Sequence, residues 1–494
     1  MTQVTKVPQS YGSLENLVDG KWSRSASGQA QSTFDPGRGV PIADVPFATS
    51  EEVEAAIDSS QAAFEKWSRL SIFERVKYLY RAKSVIEAHF EELASTLTQN
   101  HGKTILESRG EVQRMIENVE AAIATAYTLS KGEALGQIAE GIDEQTVKEP
   151  LGVFAVITPF NFPLMVPFWF VPFAIVLGDT VVLKPSETDP LPTTLAIRLI
   201  QEEAGLPPGI LNLVQGSREA VEALISNRSV RGVTFVGSTP VAKHVYELAG
   251  KHGKRAIANG GAKNSIVVLP DAKIDAYVPA MISSFFGNAG QRCLAGSNLI
   301  PVGRETHERL IGKFADASNK FRVGYGLDES SEMGPVISKA SKERIKGAVA
   351  RGVAEGAKLV ADGTGKTVSG YPEGYYLGPT ILDGVSRDMK LAREEIFGPV
   401  ASVMQADDLE SALEVINSKS DFGNMACLFT SSGSAARKFA REANAGNIGI
   451  NLGVAQPAAY FPFAGRRDSF FGVLHAQIDT VDFFTDKKVV TSRW

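Results

Sequence analysis

The fold is decided by the stretch that begins Val153-Phe154-Ala155-Val156-Ile157 and runs through Thr158-Pro159-Phe160-Asn161 to Thr180-Val181-Val182-Leu183-Lys184. Two short, β-branched apolar runs, each stopped by turn residues, flank a segment (163–177) of helical texture. The same rhythm continues: helical 192–204, apolar 211–214, helical 218–226, apolar 233–236. Strand, helix and strand in alternation predict an α/β fold with a parallel sheet and right-handed crossovers. Ligands of such sheets bind beyond the carboxyl ends of the strands. The residues expected there are Thr158 to Asn161, Lys184-Pro185-Ser186-Glu187, Gln215-Gly216 and Gly237-Ser238-Thr239.

Outward from this stretch, residues 1–48 read as extended and turn structure. A capping box at Thr49-Ser50-Glu51-Glu52 opens a helix whose Val53, Ala56, Ile57, Phe64 and Trp67 share one face. A second start at Ser71-Ile72-Phe73-Glu74 predicts one long amphipathic segment to about Asn100, closed by Gly102, and 103–130 reads as a further helix. A second α/β unit is expected over 259–450, and Val481 to Trp494 reads as a closing β-branched strand.

The chain has 494 residues, enough for roughly three domain-sized units. It is 44% hydrophobic and 22% charged, which excludes a disordered or collagenous chain. Fifty-one Lys and Arg against 56 Asp and Glu, net charge −5, give no reason to expect nucleic acid or an anionic membrane as partner. The most apolar stretch, 160–177, holds Pro163, Pro167 and Pro172, against a membrane span. Residues 1–10 lack an apolar or Arg-rich targeting pattern, so a cytoplasmic location is expected. Two cysteines, Cys293 and Cys427, cannot build a disulfide scaffold or a four-thiolate metal site, and the six histidines show no ligand-like pairing; no metal is expected.

The chemistry-bearing residues are individually ambiguous. No G-x-G-x-x-G follows the first strand; Gly237-Ser238-Thr239-Pro240 follows a later one and opens a helix whose free N–H groups suit a pyrophosphate, though an ordinary turn would read the same. Lys184 and Glu187 are placed to reach ribose hydroxyls or to form a surface ion pair. Cys293, in Gly290-Gln291-Arg292-Cys293, has a guanidinium beside it that would favour the thiolate, whereas Cys427 sits in an apolar run and reads as an inert core thiol. Glu394-Glu395-Ile396-Phe397-Gly398-Pro399 sets two carboxylates before an aromatic and a turn.

Together, and in this order, these segments resemble the aldehyde dehydrogenase superfamily, from about residue 15 to Trp494. The resemblance implies a Rossmann-type coenzyme domain (1–129 and 150–258), an α/β catalytic domain (259–450) and a small β oligomerisation arm (130–149 and 478–494) that joins a homodimer or homotetramer. It implies that Cys293 attacks an aldehyde, with Asn161 and the Cys293 N–H as oxyanion hole. Around NAD it places Thr158, Phe160, Gly237 and Ser238, with Lys184 and Glu187 on the adenosine ribose. Glu395 and Phe397 take the nicotinamide ribose and ring. A carboxylate at Glu187 favours a free 2′-hydroxyl, hence NAD over NADP.

One departure narrows this. Most members carry Glu-Leu-Gly-Gly-Lys, whose Glu activates water; here the segment is Asn259-Gly260-Gly261-Ala262-Lys263. An amide cannot accept that proton, so the thioester is expected to resist hydrolysis and to need a stronger nucleophile. Coenzyme A, its thiol taken to ionise like that of a free cysteine (~8.5), supplies one. Gly261-Ala262-Lys263-Asn264, Gly290 to Cys293 and Gly110-Glu111-Val112-Gln113-Arg114 resemble the methylmalonate-semialdehyde dehydrogenase branch, in which two arginines grip the substrate carboxylate; Arg114 and Arg292 fall on the matching positions. Ser265, Leu294 and the loop 451–460 depart from that branch. The expectation is NAD-dependent oxidation of malonate or methylmalonate semialdehyde to an acyl-CoA with loss of the β-carboxylate. The alternative is a hydrolytic aldehyde dehydrogenase releasing a free acid.

Overall fold

The structure, a computed structural model, describes residues 6–418 and 420–494. Its larger sheet holds five parallel strands, Val153–Ile157, Thr180–Lys184, Leu211–Leu213, Val230–Val236 and Arg255–Asn259. The first three run outward to one side in chain order. The last two lie on the other side of Val153–Ile157, so the order reverses between Val153–Ile157 and Val230–Val236. A crevice opens at such a reversal. Antiparallel strands Asn16–Val18 and Lys21–Ser23 extend one edge, and Phe470–Gly472, far along the chain, closes the other against Arg255–Asn259. Val153–Ile157 and Thr180–Lys184 are buried at every position, as strands covered on both faces must be.

A second sheet, of seven strands, has Gly296–Pro301 and Asn264–Val268 at its centre, with Val400–Val403 on one side and Met425–Phe429 on the other. A separate three-stranded ribbon pairs Ala134–Ala139 with Ile142–Pro150, and Ile142–Pro150 with Thr485–Arg493 along its full length. Among the described residues no helix is long and apolar enough to cross a membrane.

The capping box at Thr49 forms as expected: Thr49 Oγ1 accepts from the Glu52 N–H and the Glu52 carboxylate accepts from the Thr49 N–H. Three local expectations are corrected. The long segment after Ser71 is two helices, Ile72–Ala88 and Phe90–His101, broken where the His89 ring pairs with Glu92 and Glu203. The 163–177 segment is likewise two helices, Met165–Phe168 and Val171–Leu177, the second opening with Pro172 in its first turn, where the missing N–H costs nothing. The tail is not strand from residue 481: Thr480–Phe484 is helical, because Phe483 and Phe484 pack on Phe154 under the large sheet, and only Thr485–Arg493 is extended. Tertiary burial overrides the β propensity of these side chains.

Candidate active site

The crevice at the strand reversal is a cavity of about 840 Å³. Thr158, Phe160 and Asn161 follow the first strand into it, Lys184 and Glu187 the second, and Gly237 and Ser238 the fourth. Glu395, Phe397 and Cys293 enter from the second sheet. All the residues the sequence placed around the cofactor therefore meet in one space.

The helix Thr239–Lys251 begins at the cavity. Ser238 is its N-cap, yet its hydroxyl bonds no N–H of the first turn, so side chain and orphan N–H groups alike are free to meet an anion. Gly237 keeps the approach open: a Cβ there would stand 2.5 Å from the tip of the Phe235 ring, which would have to shift. Thr239 Oγ1 accepts from the Gly261 N–H at 2.8 Å and donates to Asp468 O, which ties the helix start to the Gly260–Gly261 wall. Lys184 Nζ donates to Glu187 Oε2 and to Gly216 O, both at 2.8 Å, so the ion pair of the two-way reading exists and faces the cavity.

Cys293 hangs on a loop of unusual backbone. Asn288 and Ala289 have φ of +54° and +50°, and Gly290 (φ +71°) packs so closely on Gly398 O that a Cβ would come within 2.1 Å. Distant side chains pin the loop. Glu107 Oε1 accepts from the Asn288 N–H at 2.6 Å, and Asn264 and Asn424 both donate to Cys293 O, at 2.8 and 2.9 Å. Asn161 Nδ2 donates to Gln291 O at 3.0 Å; an amide has a second N–H to spare.

The thiol corrects one expectation. Burial, then the Glu395 carboxylate, push the Cys293 thiol up to about 12, opposite to the direction expected from Arg292. Arg292 pulls the other way but more weakly, and its guanidinium is engaged with Glu107 at 2.8 Å. Glu395 itself is raised to about 7 by burial, against the Ala262 N–H (2.8 Å to Oε1) and the charge of Lys263. Lys263 is lowered to about 7 by burial, and its ammonium has no hydrogen-bond partner. Phe397, at φ +51°, meets Phe160 edge-on at 5.8 Å.

Asn259 ends its strand, buried, with Oδ1 unpartnered, and Gly260 and Gly261 beyond it form the cavity wall. Neither arginine expected to grip a carboxylate lines this cavity. Arg292 pairs with Glu107; Arg114, more exposed, pairs with Glu117 at 2.6 Å. Glu107 and Arg114 lie seven residues apart on the helix Ile105–Thr128, hence on one face of it. Sequence reasoning missed Glu107, Lys103, Glu111 and Lys263. Only Glu107 left a signal, as the fourth residue of the capping box Thr104-Ile105-Leu106-Glu107. Among the described residues no cluster of three His, Cys, Asp or Glu side chains is placed to hold a metal.

The sequence pattern of the aldehyde dehydrogenase family matches residues 22–490. The chain is 44% identical over 484 residues to malonate-semialdehyde dehydrogenase 2 of Geobacillus kaustophilus, covering 97% of this chain and 99% of that one. It is 43% identical, over 97% and 98% of the two chains, to malonate-semialdehyde dehydrogenase of Halalkalibacterium halodurans. Among solved structures it superposes on a putative methylmalonate-semialdehyde dehydrogenase of Sinorhizobium meliloti complexed with NAD (TM-score 0.96, 39% identity, 98% of each chain). The methylmalonate-semialdehyde dehydrogenase of Oceanimonas doudoroffii matches equally well.

Proposed function

The chain belongs to the aldehyde dehydrogenase family, and we propose that within it this protein oxidises malonate or methylmalonate semialdehyde with NAD and passes the acyl group to coenzyme A. The carrying observation is Asn259: a buried carboxamide stands where the family's water-activating carboxylate would be.

The cavity fits NAD on its own features: a helix start with an N-cap hydroxyl left free at Ser238, Gly237 beside it where a Cβ would crowd the Phe235 ring, and the Lys184–Glu187 pair at a neighbouring strand end. NAD, when bound, supplies the hydride acceptor. The protein's own part begins with Cys293, whose Sγ bonds to the aldehyde carbon while the thiol proton passes to water and the carbonyl electron pair moves onto oxygen. The second Asn161 N–H and the Cys293 N–H stabilise the developing oxyanion. Once hydride has left, the carbonyl re-forms as a thioester on Cys293. No group at position 259 can deprotonate water against it. The thiolate of coenzyme A attacks the thioester carbon and Cys293 leaves as a thiolate that regains a proton from water; the β-carboxylate departs as carbon dioxide or bicarbonate, the electron pair of the broken C–C bond taking up a proton at the α carbon, which gives acetyl-CoA or propionyl-CoA. Arg292 and Arg114 hold the substrate carboxylate, displacing or sharing the carboxylates of Glu107 and Glu117 that pair with them at rest.

We assign 1–129 and 150–258 to the coenzyme domain, 259–450 to the catalytic domain, and 130–149 with 478–494 to an oligomerisation arm. The arm's support is its outer strand, Ala134–Ala139, exposed at every residue with a free edge. A homodimer or homotetramer follows from that reading of the arm, and we propose a cytoplasmic location beside it.

Steady-state NADH formation from malonate semialdehyde is the test. The expected result is turnover that needs coenzyme A and yields acetyl-CoA. Undiminished NADH formation without coenzyme A, with a free acid as product, overturns the acylating function.

A further inference from the structure

Beneath the Asn161 loop lies an ion pair sealed from water. Lys103 Nζ stands 2.6 Å from Glu111 Oε2, and each side chain is 1% exposed. Lys103 follows Gly102, the left-handed stop of the helix Phe90–His101; Glu111 projects from the second turn of Ile105–Thr128. The pair's remaining bonds all go to one short segment. Lys103 Nζ donates to Asn161 O at 2.8 Å and sits 4.4 Å from the centre of the Phe162 ring. Glu111 Oε1 accepts from the Leu164 N–H at 2.8 Å and the Met165 N–H at 3.1 Å. Asp189, fully buried with neither oxygen bonded, lies close enough to feel both side chains, and burial pushes its carboxyl well above the usual carboxylate range.

Stability does not account for this arrangement. Taking two charges out of water costs about what their attraction returns, and well-packed apolar side chains of the same volume do as well or better. What an apolar pair cannot supply is direction: one bond to the carbonyl of Asn161 and two from the amides that end the turn after it. We propose that Lys103 and Glu111 are positioning residues that aim the Asn161 carboxamide at the substrate oxygen. The proposal rests on the reading of Asn161 as an oxyanion donor. It extends that reading to two residues that touch neither substrate nor cofactor.

The test replaces both charges together, in the Lys103→Met/Glu111→Leu enzyme, which keeps the volume and leaves no orphan charge. The thermal midpoint is expected to fall, by about a few degrees, because the Leu164 and Met165 N–H groups and the Asn161 carbonyl lose their partners, while the KM for NAD and the one-to-one alkylation of Cys293 by iodoacetamide are expected to stay near the wild type. The kcat is expected to fall toward that of Asn161→Ala, a loss of about 10²–10³-fold for an oxyanion donor. In an Asn161→Ala background the same double replacement should change kcat by less than about twofold, because coupled residues are not additive. A double variant with wild-type kcat overturns the positioning role, as does one that loses the same factor in both backgrounds. Asn161→Ala with near-normal kcat overturns instead the underlying oxyanion reading. If the double variant does not fold, Glu111→Gln, which keeps the shape and one acceptor, takes its place in the same cycle: a kcat loss confined to the Asn161 background supports the positioning role, and an equal loss in both backgrounds, or none, overturns it.

Discussion

The two walls of the cleft are built by different means. The cofactor wall is local. Thr158, Lys184, Glu187, Gly237 and Ser238 each sit within a few residues of a strand's end, and the sheet alone delivers them. The acyl wall is assembled across the chain. Cys293 is held by Asn264 and Asn424, the turn before it by Glu107, Gln291 by Asn161, and Asn161 in turn by Lys103. A site delivered by strand ends tolerates loss of one contact. A site held by a relay of buried polar side chains transmits each loss to the reacting atoms, because inside a protein a missing partner leaves the other group orphaned.

The comparison breaks first at the acyl wall. Arg292→Gln removes a guanidinium that Glu107 orients at 2.8 Å. With malonate semialdehyde its KM is expected to rise about 10- to 100-fold, the range for a lost charge-assisted hydrogen bond, while propanal, which has no carboxylate, keeps its KM within about twofold. Parallel initial-rate measurements with both aldehydes decide it. An equal loss for both means that Arg292 shapes the loop and does not read the substrate.

At the cofactor wall the expected effect is smaller. Glu187 is a third exposed and pairs with Lys184; on the proposed reading the two share the adenosine ribose. Glu187→Gln should raise the KM for NAD by about two- to tenfold, the worth of one solvent-accessible hydrogen bond, and leave kcat and the KM for aldehyde unchanged. A fall in kcat as large as that of an acyl-wall variant would erase the distinction between the walls.

The same contrast explains what the sequence disclosed. Strand ends, the Gly237–Ser238 turn and the cysteine loop are contiguous motifs, legible because the chemistry and the spacing lie in one stretch. Lys103 and Glu111 look like ordinary surface charges until the fold brings Asn161 onto them; nothing in Gly102-Lys103-Thr104 announces a buried ammonium. The expectation of an activated thiol failed for the same reason. Arg292 is adjacent to Cys293 in sequence, but its partner, Glu107, comes from another helix, while Glu395 and burial act on the sulfur from the other side. Residues 481–484 misled differently. Valine and phenylalanine favour strands, yet here they are helical because the space under Phe154 accepts that shape.

Where the walls meet, Lys263 and Glu395 sharpen the comparison through pH. Burial lowers Lys263 to about 7, from an ordinary value of 10.5 in the unfolded chain. Between those values the unfolded state binds more protons, so this residue's contribution to stability is present at high pH and is lost as pH falls toward 7. Glu395, raised to about 7, contributes in the opposite sense, below neutrality: stability present in acid is lost as pH rises through 7. Cys293, raised to about 12, takes stability away only above pH 9. The window from pH 7 to 9 therefore centres on the lysine. Lys263→Met removes that dependence and also the charge that holds Glu395 down, so Glu395 titrates higher in the variant; both effects lower its thermal midpoint relative to wild type as pH rises from 7 to 9, by about a few degrees at most, while titrating groups that do not feel Lys263 cancel in the difference. A constant difference across that window would show that Lys263 keeps its proton in the folded enzyme. The Lys263 and Glu395 charges would then persist together behind the Gly260–Gly261 wall of the cleft.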